Sequence, residues 1–160
     1  MKVAIGQDSH RFDFNNTTKK LILGGIKIPN HVPLLGNSDA DVILHSITNA
    51  ISGITCVNIL GSIADDMCQS GITDSSQYLI HALSYLDPSY IISHLSISIE
   101  CKTPKLAPYI DDIRNNLSKL LNINPSSIGI TATSGEELTD FGRGLGIQVF
   151  SCITVCHRPS

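Results

Sequence analysis

Apolar residues recur along this chain with two different periods, and the changes of period mark off its elements. Lys2 to Gln7 reads as a short strand, and KLILGGIKIP as a hairpin whose β-rich runs flank Gly24-Gly25. NSDADVILHSITNAISG has helical spacing. At about 100° per residue, Ile43, Ile47, Ala50, Ile51 and Ile54 gather on one side and Asp41, His45, Asn49 and Ser52 on the other. Ser38, followed three residues later by Asp41, gives this helix a capping-box-like start, and His45 is expected to point away from the core stripe. DDMCQSGITD reads as a loop. A helix follows through SSQYLIHALSYL, with Tyr78, Leu79, Ala82, Leu83 and Leu86 on its buried side, and Asp87-Pro88 stops it. HLSISIEC alternates as a half-buried strand, and PYIDDIRNNLSKLL restores helical spacing through Ile110, Ile113, Leu117 and Leu120. Ile128 to Ala132 predicts a strand before the loop TSGEELTDFGRGLG. The last strand, IQVFSCITVC, is apolar on both parities, as expected of a central strand covered on both faces. Strands interleaved with helices in this order suggest an α+β fold, a split βαβ sandwich, with no repeat and no linker.

The totals narrow the function. At 160 residues the chain is expected to form one domain, residues 1–160, able to bury roughly 70% of its unfolded surface. Hydrophobic residues make up 42% and charged residues 16%, and no apolar run approaches the ~20 residues of a membrane span. A formal net charge of -3, with no block of Lys or Arg, argues against nucleic acid as a partner. The five cysteines are odd in number and contain no CxxC pair, so they read as reduced and mostly buried. MKVAIGQ enters strand-like sequence without a signal-peptide core. This points to a bacterial-type cytoplasm, or to an organelle stroma if a targeting segment was removed.

Three stretches carry candidate chemistry. Asp8 and His10 stand two apart on an expected strand, so both face the same side and could share a divalent metal. His45 is the natural third ligand, and three Asp/His ligands with one open position make up a catalytic zinc site. Each residue also has a plain reading: Asp8 as a turn cap, His10 as a surface residue, His45 as one polar residue on an exposed helix face. The loop after the fifth strand places Thr133, Ser134, Gly135 and Glu136 where hydroxyls and N–H groups could surround a phosphate while a carboxylate holds Mg²⁺. A glycine turn with polar filler is the alternative. Arg143, between Gly142 and Gly144, adds a planar donor suited to phosphate, and CKTPKLAP is a Pro-rich turn whose backbone could read a base edge.

In order and over essentially the whole chain, DSH, SDADVILH, TPKLAP and TATSGEELTDFGRGLGI resemble the 2-C-methyl-D-erythritol 2,4-cyclodiphosphate synthase family. The resemblance implies a ferredoxin-like subunit in a homotrimer, with active sites between neighbouring subunits. It implies a lyase of non-mevalonate isoprenoid biosynthesis. In that reaction the 2-phosphate of 4-diphosphocytidyl-2-C-methyl-D-erythritol 2-phosphate attacks the distal phosphorus of the diphosphate, closing a ring and releasing CMP. Asp8, His10 and His45 would hold one Zn²⁺ per subunit, and Glu136 a Mg²⁺ or Mn²⁺ that arrives with substrate. Asn37, Ser134 and Glu136 are the implied catalytic positions. Substrate contacts would come from Asp8, Ser9, His10, Asn37, Ser38, Ile59, Gly61 and Asp66, from Cys101, Pro104, Lys105 and Leu106 around cytosine, and from Thr133, Ser134, Gly135, Phe141 and Arg143.

Some positions depart from the family pattern. Asn37 stands where a histidine is usual and cannot carry its positive charge. NILG replaces GDIG, so Ile59 takes the place of a ribose-binding aspartate, and ADD replaces FPD, leaving Asp66 as the erythritol contact. Asn49 replaces a helix aspartate, Gly135 a threonine, and Asp140-Phe141 stands where an aromatic residue normally comes first. These changes open a second reading, a non-catalytic trimeric module that keeps zinc and phosphate, and a third, a zinc-dependent phosphohydrolase.

Overall fold

The computed structural model describes residues 1–159. A four-stranded sheet has β1 (Lys2–Arg11) on one edge, then β6 (Gly146–His157), β4 (Tyr90–Glu100) and, on the far edge, β5 (Ile128–Thr133). The two pairings of β6 are antiparallel, and β4 and β5 run parallel. A parallel pair needs a crossover, supplied here by α4 (Ile110–Leu121), which packs back on β5. A separate hairpin, β2 (Leu21–Leu23) and β3 (Ile26–Ile28), turns at Gly24-Gly25. Both glycines have positive φ, 59° and 79°, as a two-residue hairpin turn with the twist of its strands requires.

α1 (Val42–Thr55) lies across β1 and β6, and α3 (Ser75–Leu83) packs on α1. Ile147, Val149, Ile153 and Val155 of β6 and Leu95, Ile97 and Ile99 of β4 bury one face of the sheet beneath the helices. The expectation that β6 is covered on both faces holds only for this one. On its other parity Phe150 is 43% exposed, beside Val3 (57%) and Ile5 (69%) of β1.

Further expectations are corrected. The sheet is not ferredoxin-like, because that arrangement has only antiparallel neighbours and here β4 and β5 are parallel neighbours joined through α4. Of the five cysteines, expected to be mostly buried, Cys101 alone is buried. DDMCQSGITD is only half a loop: its first five residues belong to a helix, α2 (Ser62–Gln69), short and with Ala64 alone fully buried, and 70–74 form the expected loop. Ser38 does not cap α1. Its hydroxyl oxygen accepts from Ala40 N–H, while Asp41 is the cap and accepts from Ile43 and Leu44 N–H, 3.1 Å each. The same carboxylate accepts from Gly24 and Gly25 N–H at 2.9 and 2.6 Å, so one buried side chain ties the helix start to the hairpin turn. Burial pushes the Asp41 carboxyl up to about 6, against the opposing pull of these N–H groups.

Candidate active site

β1 presents its even-numbered residues to α1, and Gly6 lets the two backbones meet. A Cβ there would lie 2.0 Å from Ser46 O and 2.2 Å from Ala50 N. This close approach carries His45, one turn into α1, down onto Asp8 and His10. Asp8 Oδ2 lies 3.0 Å from His10 Nε2 and 3.1 Å from His45 Nδ1, and the two ring nitrogens are 3.2 Å apart. His45 does not face solvent; it is 8% exposed. An amphipathic period says which residues are polar, but a helix can turn its polar face onto a site as well as onto water.

Each ring is held from behind. His10 Nδ1 lies 2.8 Å from the Leu35 carbonyl, and His45 Nε2 lies 2.8 Å from Ser75 Oγ. Burial disfavours the Asp8 carboxylate, but hydrogen bonds from His10 and His45 and their charges outweigh it and bring the carboxyl down to about 2. Burial likewise disfavours a charged His10, and the Asp8 carboxylate with the Leu35 carbonyl raises it above its ordinary value all the same.

The cluster opens into a cleft of about 300 Å³. Asn37, Ser38 and Gly61, named above as substrate contacts, line it, and Asn49, Asp65 and Cys68 line it as well. Other expected contacts lie elsewhere. Ser9 is on the exposed parity of β1, facing away from Asp8 and His10. The Ile59 side chain is 1% exposed and packs in the core, its N–H turned to Ser52 Oγ, so it offers no side-chain contact to a ligand. Asp66 is exposed on α2 and does not line the cleft, whereas its neighbour Asp65 does. Ser75 and Asp65 carry no signal in the sequence, because only tertiary packing brings them to His45 and the cleft.

The remaining expected residues form a second group where β4 and β5 end. Cys101 N–H donates to Thr133 O at 3.1 Å, and Lys102 N–H to Phe141 O at 3.1 Å, which docks the 101–106 segment on the 133–144 loop. Lys102 Nζ pairs with Glu137 at 2.5 Å. The side chains of Cys101 (6%) and Leu106 (4%) are buried, so these two can meet a ligand only through their backbone, while Pro104 and Lys105 lie at the surface. Burial pushes the Cys101 thiol up to about 11. Gly135, Glu136 and Glu137 are all left-handed, with φ of 72°, 50° and 61°. A Cβ on Gly135 would lie 2.1 Å from Glu100 Oε1, and the Glu100 carboxylate also accepts from Thr139, so glycine is the residue that fits. Thr133 and Ser134 hydroxyl oxygens accept from the N–H groups of Gly135 and Glu136 at 3.3 and 3.4 Å. Glu136 is exposed and forms no ion pair among the described residues. Arg143 is turned onto its own loop, 2.8 Å from Asp140 and 3.2 Å from the Glu137 carbonyl.

The two groups sit at the same end of the sheet but on opposite edges. Asp8 is level with Val149, Val149 with Ile99, and Ile99 with Ala132. Three strand spacings separate the cluster from the loop, roughly 14 Å.

The YgbB family model matches residues 1–156 of the chain. A curated relative from Chlamydia felis, named 2-C-methyl-D-erythritol 2,4-cyclodiphosphate synthase, is 47% identical over 155 residues, covering 96% of this chain and 88% of the relative. Among solved structures, a Plasmodium falciparum IspF in complex with CDP is 29% identical with a TM-score of 0.81, covering 98% of this chain and 96% of that one. The bifunctional IspDF from Campylobacter jejuni is 26% identical with a TM-score of 0.86; the match covers 98% of this chain and 42% of that longer protein. Matched along nearly its whole length in sequence and in fold, the chain belongs to the YgbB family.

Proposed function

We propose that this chain is a 2-C-methyl-D-erythritol 2,4-cyclodiphosphate synthase, a phosphorus–oxygen lyase that closes the cyclic diphosphate and releases CMP. The observation that carries it is the Asp8–His10–His45 triangle at the mouth of a polar cleft, in a chain so similar to curated synthases. That similarity favours catalysis over a binding module that has lost it.

The triangle suits zinc. Ligands at about 2.0–2.1 Å from a tetrahedral ion stand about 3.3 Å apart, and the three donor atoms here are separated by 3.0 to 3.2 Å. Both rings are braced from behind, as metal-binding histidines are. A zinc ion there would supply a Lewis acid and a template for a phosphate oxygen. The chain's own residues supply the positioning. A phosphate monoester has its second pKa near ~6, so the attacking oxygen needs no strong base, and the task is to bring two anions into line. Asn37 and Ser38 on the cleft wall would donate to phosphate oxygens. Thr133 and Ser134 would do the same from the loop, and Glu136, exposed and without an ion pair of its own, would hold a Mg²⁺ or Mn²⁺ beside the departing CMP. The backbone around Pro104 and Lys105 would meet the cytosine; a structural neighbour binds CDP. Arg143 would first have to leave Asp140.

The cluster and the loop lie on opposite edges of the sheet in one chain, roughly 14 Å apart, too far for cations held at both to meet one diphosphate. A homotrimer, in which the cluster edge of one subunit meets the loop edge of the next, would complete the site, and Val3, Ile5 and Phe150 give the sheet an apolar face to bury in it. Among the described residues no helix is long and apolar enough to cross a membrane, consistent with action in a bacterial-type cytoplasm.

The test is incubation with 4-diphosphocytidyl-2-C-methyl-D-erythritol 2-phosphate, zinc and Mg²⁺. CMP and a cyclic product are expected. Absence of CMP would restore the binding-module reading, and CMP with linear phosphates by mass would make the chain a hydrolase.

A further inference from the structure

Ser75, the first residue of α3, is completely buried, and its hydroxyl has a partner on each side. One is Asp39, whose Oδ1 is hydrogen-bonded to Ser75 Oγ and whose Oδ2 accepts from Ser75 N–H at 3.1 Å. The other is His45 Nε2, at 2.8 Å. A carboxylate can only accept, so the hydroxyl's single proton goes to Asp39. What Ser75 Oγ then offers His45 is a lone pair, and Nε2 must carry the proton that meets it. A neutral imidazole has one N–H, which leaves Nδ1 bare once a cation stands between it and the Asp8 carboxylate 3.1 Å away, which would otherwise accept a proton from Nδ1; His10 Nε2 is 3.2 Å from the same atom.

We infer that Asp39 and Ser75 are positioning residues that set the tautomer of His45, keeping its Nδ1 unprotonated and aimed at the metal. The inference rests on the reading of the Asp8–His10–His45 cluster as a metal centre. His10 is set the opposite way round: the Leu35 carbonyl takes the proton of Nδ1 and leaves Nε2 bare. A backbone carbonyl can only accept and needs nothing behind it. A hydroxyl can turn and donate, so it needs the fixed acceptor that Asp39 provides. The arrangement also joins the site's parts: Asp39 belongs to the segment before α1 that carries Asn37 and Ser38, and its N–H donates to Thr73 O at 2.9 Å, so the approach to α3 and the approach to α1 are fastened behind the ligand.

The experiment measures zinc affinity of the whole protein by competition with a chromophoric chelator, for wild type, Ser75→Ala and Ser75→Thr. It also records ¹⁵N chemical shifts of the histidine rings in zinc-loaded wild type, at a pH where the rings are neutral. Ser75→Ala is expected to weaken zinc binding about 10–100-fold, the usual cost of losing a partner behind a metal-bound histidine. Ser75→Thr, which keeps the hydroxyl, is expected to recover most of that loss. In wild type the His45 proton is expected on Nε2. An unchanged affinity in Ser75→Ala with wild-type zinc binding intact overturns the relay alone, and a His45 proton on Nδ1 overturns it even if the variants fail to fold. A wild-type protein that takes up no zinc overturns the metal centre beneath it.

Discussion

Asp8 and His10 shift each other's titration in opposite directions, and this fixes a pH window for the metal-free protein. Asp8 falls from 3.8 to about 2 on folding, so its contribution to stability is complete above 3.8 and is lost as the pH drops toward 2. His10 is raised above 6.5, so its contribution is complete below 6.5 and is lost as the pH climbs through the raised value. The stability difference between chelator-stripped wild type and Asp8→Asn, read from thermal unfolding, is therefore expected to be largest between 3.8 and 6.5. A difference that stays constant from pH 3 to pH 9 would contradict the pairing. The two residues are legible in the sequence because a strand's parity is local. Ser75 and Asp39 are not, because 36 residues separate them and nothing local marks either as a partner of His45.

The contact between β1 and α1 brings the ligands together, and it depends on a missing side chain. Gly6→Ala would drive a Cβ into the α1 backbone at Ser46 and Ala50, where no flexible side chain can give way. It is expected to destabilise the protein by about 3 kcal/mol and to weaken metal binding as well, since α1 must lift His45 away from β1. Unfolding midpoints and zinc titration check both halves; a variant with lowered stability and intact affinity would mean that α1 relaxes without moving His45. The period of α1 is plain in the sequence, but the fate of its polar face is not, because Asp41 and His45 are buried by the hairpin and by the cleft. α2 is missed for a different reason. With Ala64 alone fully buried, its apolar positions make no stripe that could outweigh the surrounding turn residues.

At the scale of the molecule, sheet order was beyond the reach of the sequence. Strand periods identify strands, but the placement of β6 between β1 and β4 comes from pairing across most of the chain's length. That order puts the Asp8 cluster on one edge and the Glu136 loop on the other. If each site is assembled across a subunit boundary, damage on one edge and damage on the other need not fall in the same site. Asp8→Ala and Glu136→Gln should each be nearly inactive, with the second still binding zinc. When the two are unfolded together in equal amounts and refolded, every mixed trimer contains one junction where both facing edges are sound, and about a quarter of wild-type CMP release should return. Two dead proteins would then make one working enzyme, which a self-contained subunit could never do.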